Sequence, residues 1–246
     1  MKYMLLEEVD STNSYVAVHA AELEDMTMVI ANTQTAGRGQ RGNSWESDPG
    51  CNLTFTLFCR PKGVAPAEQF AISEASALAV ADTLAGYGVE ARVKWPNDVY
   101  VDDRKISGIL IEHSLQGGNI EHTRIGIGLN VNQPEFHSDA PNPVSIRMII
   151  GHDSDLGQCA TRMYNALATR LEQAYSADSR KALHREFIEK LWRGDGEFYP
   201  FRDRESSARF MGRILNVEPT GFIHIESQDD QKEHIYAFKE IEFLLK

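Results

Sequence analysis

The segment ARVKWPNDVYVDDRKISGILIEHSLQGGNIEHTRIGIGLNV, Ala91 to Val131, decides the fold class. It reads as short strands over Ala91–Trp95 and Val99–Val101, a turn at Asp102-Asp103-Arg104, a strand over Ile106–His113, a turn at Gly117-Gly118 and a returning strand over Ile120–Val131. β-branched and aromatic residues bounded by Asp and Gly turn residues give that pattern. Strands joined by tight turns pair antiparallel, whereas a doubly wound parallel sheet needs a long crossover between successive strands. The segment predicts an α+β fold, with helices packed on a mixed, largely antiparallel sheet.

On its N-terminal side, Tyr15, Val16, Val18, Ala20 and Leu23 recur at helical spacing, predicting a helix from Thr12 to about Asp25 that Asp10 or Ser11 can cap. Met26–Thr33 and Asn52–Cys59 read as strands, with the loop Gly37–Gly50 between them, and an alanine-rich helix follows from Pro66 to about Tyr87. On the C-terminal side, helices are expected over Asp155–Tyr175 and Ser179–Trp192, and Gly194 and Gly196 mark a change of composition. Short strands at Phe210–Val217, Phe222–Glu226 and His234–Phe238 then predict a small β-barrel, dividing the chain at 1–195 and 196–246.

Composition narrows the function. Thirty-six acidic against 25 basic side chains give a net charge of −11, which repels nucleic acid and anionic lipid. The C-terminal unit, with ten acids and seven bases, is no exception. Cys51, Cys59 and Cys159 include no Cys-x-x-Cys pair and favour a reducing compartment. The first residues lack a signal-peptide core and no apolar run approaches the roughly 18 residues of a membrane helix, so a cytoplasmic protein is expected.

Four segments carry the polar chemistry. Gly37-Arg38-Gly39-Gln40-Arg41-Gly42 has the spacing of a dinucleotide fingerprint, but a polar stretch containing Pro49-Gly50 and then a strand follow it, where that motif needs a helix. It also nearly matches a phosphate-binding P-loop, except that Asn43 stands where the lysine belongs. What remains is a loop with Arg38, Arg41 and Trp45, either a lid over a phosphate ester or an exposed loop with solvated arginines. Lys94-Trp95-Pro96-Asn97-Asp98 and Arg104-Lys105-Ile106-Ser107-Gly108 can bring Lys94, Asp98 and Lys105 towards one site, or be plain surface charges. Gly126-Ile127-Gly128-Leu129-Asn130 thins a strand for a ligand or bends it, and Ser11-Thr12-Asn13 binds a ligand or merely caps a helix. His-Glu-x-x-His, zinc-type cysteine spacing and a Gly-x-Ser-x-Gly elbow are all absent from the sequence.

Taken in order, Ser11-Thr12-Asn13, Gln34-Thr35-Ala36-Gly37-Arg38-Gly39 through Trp45, Lys94 to Asp98 with Arg104 to Gly108, and Gly126 to Asn130 resemble the biotin-protein ligase family, over about residues 5 to 135. The resemblance implies a catalytic domain related to class II aminoacyl-tRNA synthetases and lipoate ligases, followed by an SH3-like barrel. It implies that biotin and Mg·ATP give biotinyl-5′-AMP, and that a lysine of a biotin carboxyl carrier domain takes the biotinyl group. Carried over residue by residue, Ser11, Thr12, Asn13, Gln34, Gly37 and Gly108 fall at biotin, and Arg38 and Lys105 at its carboxylate and the α-phosphate. Arg41, Trp45 and Asn130 fall at the nucleotide, and Lys94 and Asn97 near phosphate. Magnesium would be held mainly through the ATP phosphates, with Asn97 or Asp98 as candidate ligands. Asp98 would orient or deprotonate the incoming amine, or be structural.

Gln40 and Asn43 stand where relatives often carry basic residues, which implies weaker retention of the adenylate. Ser11-Thr12-Asn13 lies close to the first residue, so neither a helix-turn-helix nor repressor activity is expected. A monomer or homodimer acting on a carrier domain, without nucleic acid or membrane, is the expectation. The alternatives are a lipoate or octanoate ligase on the same scaffold and a non-catalytic biotin sensor.

Overall fold

A computed structural model describes residues 1–39, 44–138 and 141–245. Its larger sheet contains β1 (Lys2–Val9), β2 (Thr27–Gln34), β3 (Leu53–Cys59), β4 (Arg92–Lys94), β5 (Asp98–Val101), β6 (Arg104–Gln116) and β7 (Asn119–Leu129). The spatial order is β1-β2-β3-β7-β6-β5-β4, parallel between β1 and β2 and antiparallel elsewhere. The expected α+β fold with a mixed, largely antiparallel sheet is therefore present. Its parallel pair comes from β1, to which the sequence reading assigned no strand. This edge strand is exposed along most of its length and shows no alternation of burial.

Side-chain alternation separates the two faces of the sheet. Phe55 and Leu57 of β3, Ile109 of β6 and Ile125 and Ile127 of β7 join the main apolar core. The helices α2 (Phe70–Ala85), α4 (Leu156–Tyr175) and α5 (Ala177–Glu189) build the rest of that core. In α4 the buried Met163, Leu167 and Leu171 recur every four residues, the stripe of a helix with one apolar face. Arg170 of α4 ties the three helices together, reaching Asp82 of α2 at 2.7 Å and Glu186 of α5 at 2.6 Å.

The opposite face is covered by α1 (Thr12–His19), whose Val16 packs with Val29 and Phe58. This helix ends earlier than the sequence predicted. Past His19 the chain turns, with Glu22 N–H bonding the His19 carbonyl and Thr27 Oγ1 bonding the Glu24 carbonyl. A further short helix, α3 (Ile146–Ile150), was not expected; Ser145 caps its start and Gly151, at φ 83°, ends it. The predicted helix from Pro66 begins instead as a 3-10 turn, Pro66–Glu68, ahead of α2.

After α5 come β8 (Tyr199–Asp203), β9 (Arg209–Val217), β10 (Ile223–Ser227), β11 (Glu233–Tyr236) and β12 (Ile241–Phe243), an antiparallel sheet in the order β11-β10-β9-β8-β12. β8 and β12 were missed in the sequence because one contains a proline and the other is only three residues long. The two sheets share apolar packing through Trp95. Its indole Nε1–H donates to the Gly221 carbonyl at 3.0 Å, and its ring lies 5.3 Å from Phe238. Arg193 reinforces the join, donating to the Leu244 carbonyl at 2.9 Å. Among the described residues no helix is long and apolar enough to cross a membrane.

Trp95→Phe tests this join. It keeps most of the ring but leaves the buried Gly221 carbonyl without its donor, and we expect a loss of about 1–3 kcal/mol in urea unfolding. An unchanged midpoint would show that the bond contributes nothing.

Candidate active site

The face beneath α1 is unusually bare. Thr54 and Thr56 of β3 pair with Gly128 and Gly126 of β7, which pair in turn with Gly108 and Leu110 of β6. Alternation puts all six on the α1 side, so the three glycines leave a hollow between the sheet, the start of α1 and the loop after β2, with Leu110 at its edge. The hollow is a cavity of about 290 Å³.

One end of the cavity is neutral and hydrogen-bonding. Ser11, Thr12 and Asn13 are each 3% exposed. Thr12 N–H donates to Gln34 Oε1 at 2.8 Å, Thr56 Oγ1–H is 2.8 Å from Thr12 Oγ1, and Asn13 Nδ2 donates to Glu112 Oε2 at 3.2 Å. The Ser11 side chain makes no capping bond to α1, so the capping alternative does not describe it. Ser11, Thr12, Asn13 and Gln34 all line the cavity.

The other end is cationic. Arg38, Lys94 and Lys105 line it together with Asn97, Asp98 and Gly108. Asp98 accepts Lys105 Nζ at 2.7 Å and stands 3.6 Å from Lys94 Nζ, with its own side chain 15% exposed. The hairpin causes this: Lys94 faces Asp98 across β4 and β5, and Asp98 faces Gly108 across β5 and β6, where a missing side chain gives Lys105 room. Lys94 Nζ also lies over the rings of Tyr100, at 5.0 Å, and Phe243 of β12, at 5.6 Å. Burial, and secondarily the charge of Asp98, raises the Tyr100 phenol above its ordinary pKa, so the ring stays neutral. Asn97 is tied into the hairpin, its Nδ2 donating to the Ile109 carbonyl at 2.8 Å.

Trp45 roofs the hollow. A Cβ on Gly128 would lie 2.2 Å from Trp45 Cε2, and one on Gly108 would lie 3.0 Å from Cζ3, so both glycines make its seat. Gly37 does not line the cavity; its carbonyl accepts Trp45 N–H at 3.0 Å and shapes the neck of the loop. Arg41, with Gln40 and Asn43, lies outside the described residues.

Asn130 also stands apart from the first cavity. It lines an adjoining one of about 880 Å³ that shares Trp45, Lys94, Asp98 and Lys105 with the first. Among the described residues its buried Oδ1 and the Trp45 Nε1 have no hydrogen-bond partner. Buried polar atoms ordinarily have partners, so these two are hydrogen-bonding capacity left unused beside the cavities.

Sequence reading missed Thr56, Glu112 and Arg204. Thr56 looked like the polar half of an alternating strand, and Glu112 and Arg204 belonged to no motif. Arg204, just past β8, lines both cavities and is 3.3 Å from Glu242 of β12. Among the described residues no group of three or more His, Cys, Asp or Glu side chains is arranged to hold a metal ion.

The profile of the Biotin/lipoate A/B protein ligase family matches residues 5–130, about half of the sequence, and this chain belongs to that family. Among curated relatives, the bifunctional ligase/repressor BirA of Escherichia coli is 39% identical over 128 residues, 52% of this chain and 40% of that protein. A biotin acetyl-CoA-carboxylase ligase of Paracoccus denitrificans is 37% identical over 158 residues, 61% of this chain and 65% of the relative. The matches thus span less than two thirds of these relatives. Among solved structures, a biotin protein ligase from Aquifex aeolicus in complex with biotin and ATP superposes with a TM-score of 0.80 at 23% identity, covering 100% of this chain and 99% of that one. That likeness establishes a shared fold.

Gly128→Ala tests the seat of Trp45. The added methyl would collide with the indole, and we expect the ring to be displaced into solvent with a red shift of tryptophan emission. The shift should vanish in a Trp45→Phe background; emission identical to wild type would show that the ring does not rest there.

Proposed function

We propose that the chain activates biotin as biotinyl-5′-AMP at the expense of ATP and transfers the biotinyl group to a lysine of a biotin carboxyl carrier domain. The observation that carries this reading is a pair of adjoining cavities, the first with neutral donors and acceptors at one end and Arg38 and Lys105 at the other, the second lined by Asn130 and sharing Trp45, Lys94, Asp98 and Lys105 with it. A fused-ring urea with a carboxylate tail matches the first, and a nucleotide matches the second. On this reading residues 1–195 carry the chemistry, and 196–246 close the nucleotide end with Arg204 and Phe243.

In the first step a carboxylate oxygen attacks the α-phosphorus and pyrophosphate leaves. Both reactants are anionic, so their approach needs fixed positive charge, which Arg38 and Lys105 are placed to supply. Holding Lys105 against Asp98 fixes the ammonium before substrate arrives, which is what preorganisation requires. Magnesium would enter on the phosphates, since that ion takes only one or two carboxylates and keeps several waters; Asp98 and the Asn97 amide are the donors at hand. Bound there, it would neutralise phosphate charge. In the second step the amine of the carrier lysine attacks the acyl carbon, AMP leaves and the amine loses a proton. Asp98, beside the cationic end, would orient that amine. The net charge of −11 supports a reading in which no nucleic acid is bound.

Incubation with biotin and Mg·ATP, followed by mass spectrometry, should detect biotinyl-AMP. Its absence, or equal turnover with lipoate or octanoate, would refute the assignment. Lys105→Ala should slow pyrophosphate release by about 10²–10³-fold, the usual loss for one charge-stabilising donor. Wild-type release would remove Lys105 from the reaction. Asp98→Asn should slow transfer from preformed adenylate by about 10²-fold, the range for a positioned acid–base group. It should slow adenylate formation by a smaller factor, because Lys105 loses its partner. The reverse ranking would make Asp98 a phosphate-side residue.

A further inference from the structure

Glu112 sits on β6 two residues past Leu110, on the same face of the sheet but outside the cavity lining, and three structural elements converge on its carboxylate. From α1, Asn13 Nδ2 donates to Oε2 at 3.2 Å. From the neck of the Trp45 loop, Arg38 Nη2 donates to Oε1 at 3.3 Å. From the neighbouring strand, its register partner Arg124 holds Nη2 at 3.7 Å from Oε2. Arg124 is itself largely buried, and its Nε has no partner among the described residues, so Glu112 is the counter-charge that its burial demands.

Each oxygen of the carboxylate thus accepts one hydrogen bond, from Asn13 and from Arg38, and Arg124 adds an ion pair beside them. A negative charge would repel an anionic substrate. Glu112 is therefore unsuited to touch a carboxylate or phosphate directly, yet it grips the arginine assigned to both. Arg38 is 48% exposed, and a long exposed side chain left alone spreads over many rotamers. A charge-assisted bond to one Nη removes most of that freedom while leaving the other guanidinium N–H groups for a ligand.

We propose that Glu112 is the positioning residue of Arg38: it holds one edge of the guanidinium so that the rest faces the carboxylate–phosphate junction of an acyl-adenylate. Through Asn13 the same carboxylate ties the neutral end of the cavity to the cationic end. The proposal builds on the adenylate-forming reading given above.

The test is a double-mutant cycle of Glu112→Gln and Arg38→Ala. The glutamine can still accept from Asn13, so its KM for biotin should stay within about twofold of wild type. The maximal rate of pyrophosphate release should fall, and dissociation of biotinyl-AMP should quicken, each by about tenfold, a typical coupling between directly paired side chains. In the Arg38→Ala background Glu112→Gln should add nothing. The same tenfold loss in that background would mean that Glu112 acts elsewhere, and slower loss of the adenylate would mean that it competes with the ligand for Arg38; either overturns the proposal. A second arm needs no activity. The Arg38 Nε–Hε signal, assigned by NMR in the wild type, should be distinct from free arginine and move to the free position in a Glu112→Gln protein whose backbone amide spectrum is otherwise that of the folded wild type; an unmoved signal, or a shift that comes only with loss of the folded spectrum, overturns the proposal. Failure of the wild type to make pyrophosphate would count against the ligase reading alone and leave the NMR arm to decide on Glu112.

Discussion

The site depends on one steric constraint, the three glycines that meet where β7 and β6 run beneath α1. A β-sheet normally presents a side chain at every second position of each face, which would fill the space that α1 and the Trp45 loop now enclose. Here Gly126 and Gly128 sit side by side with Gly108, Thr54 and Thr56. Two points leave no room for a methyl group unless a neighbour moves: one on Gly126 would lie 2.5 Å from Asn13 Oδ1, and one on Gly128 would strike Trp45. The glycines let buried polar groups and an indole approach the backbone itself.

Electrostatics follows from that geometry. A chain with a large negative net charge gathers Arg38, Lys94 and Lys105 around one hollow and gives each an acidic partner, Glu112 for the first and Asp98 for the other two. Pairing keeps the cations from repelling one another before a ligand arrives and holds them in place. The partners are unequal in reach. Asp98 stands in the cavity wall, whereas Glu112 lies outside the lining and reaches it only through Arg38 and Asn13. The second sheet enters the same arrangement through Phe243 over Lys94 and through Arg204 at the cleft, with Trp95 fastening the two sheets close by.

The hairpin run Ala91–Val131 was enough to establish an antiparallel arrangement, because turn residues and β-branched residues act locally. The order of Ser11-Thr12-Asn13, Gln34, Arg38, the Lys94–Asp98 stretch, Lys105 and Gly108 was enough to nominate the cavity lining. Those residues do converge, except Trp95 and Pro96, which line the adjoining cavity. What sequence alone left open was whether each polar residue faced inward. Ser11, a plausible helix cap, makes no cap bond, and Gly37 and Asn130, nominated with the rest, stand respectively at the loop neck and in the adjoining cavity.

Only the tertiary structure decided the parallel pairing of β1, the early end of α1, the strands β8 and β12, and the placement of Thr56, Glu112 and Arg204. Each depends on partners far away in the chain. β1 pairs with a strand some 25 residues on, and Glu112 meets Asn13 and Arg38 from 99 and 74 residues away. Local propensity and spacing report on neighbours in sequence, and a carboxylate on a strand reads the same whether it faces water or the guanidinium of a distant loop. The sequence by itself determined the fold class and the chemical inventory of the hollow; which carboxylate holds which cation was settled only when the sheet set glycine against glycine and brought the loop, α1 and β7 to one side of it.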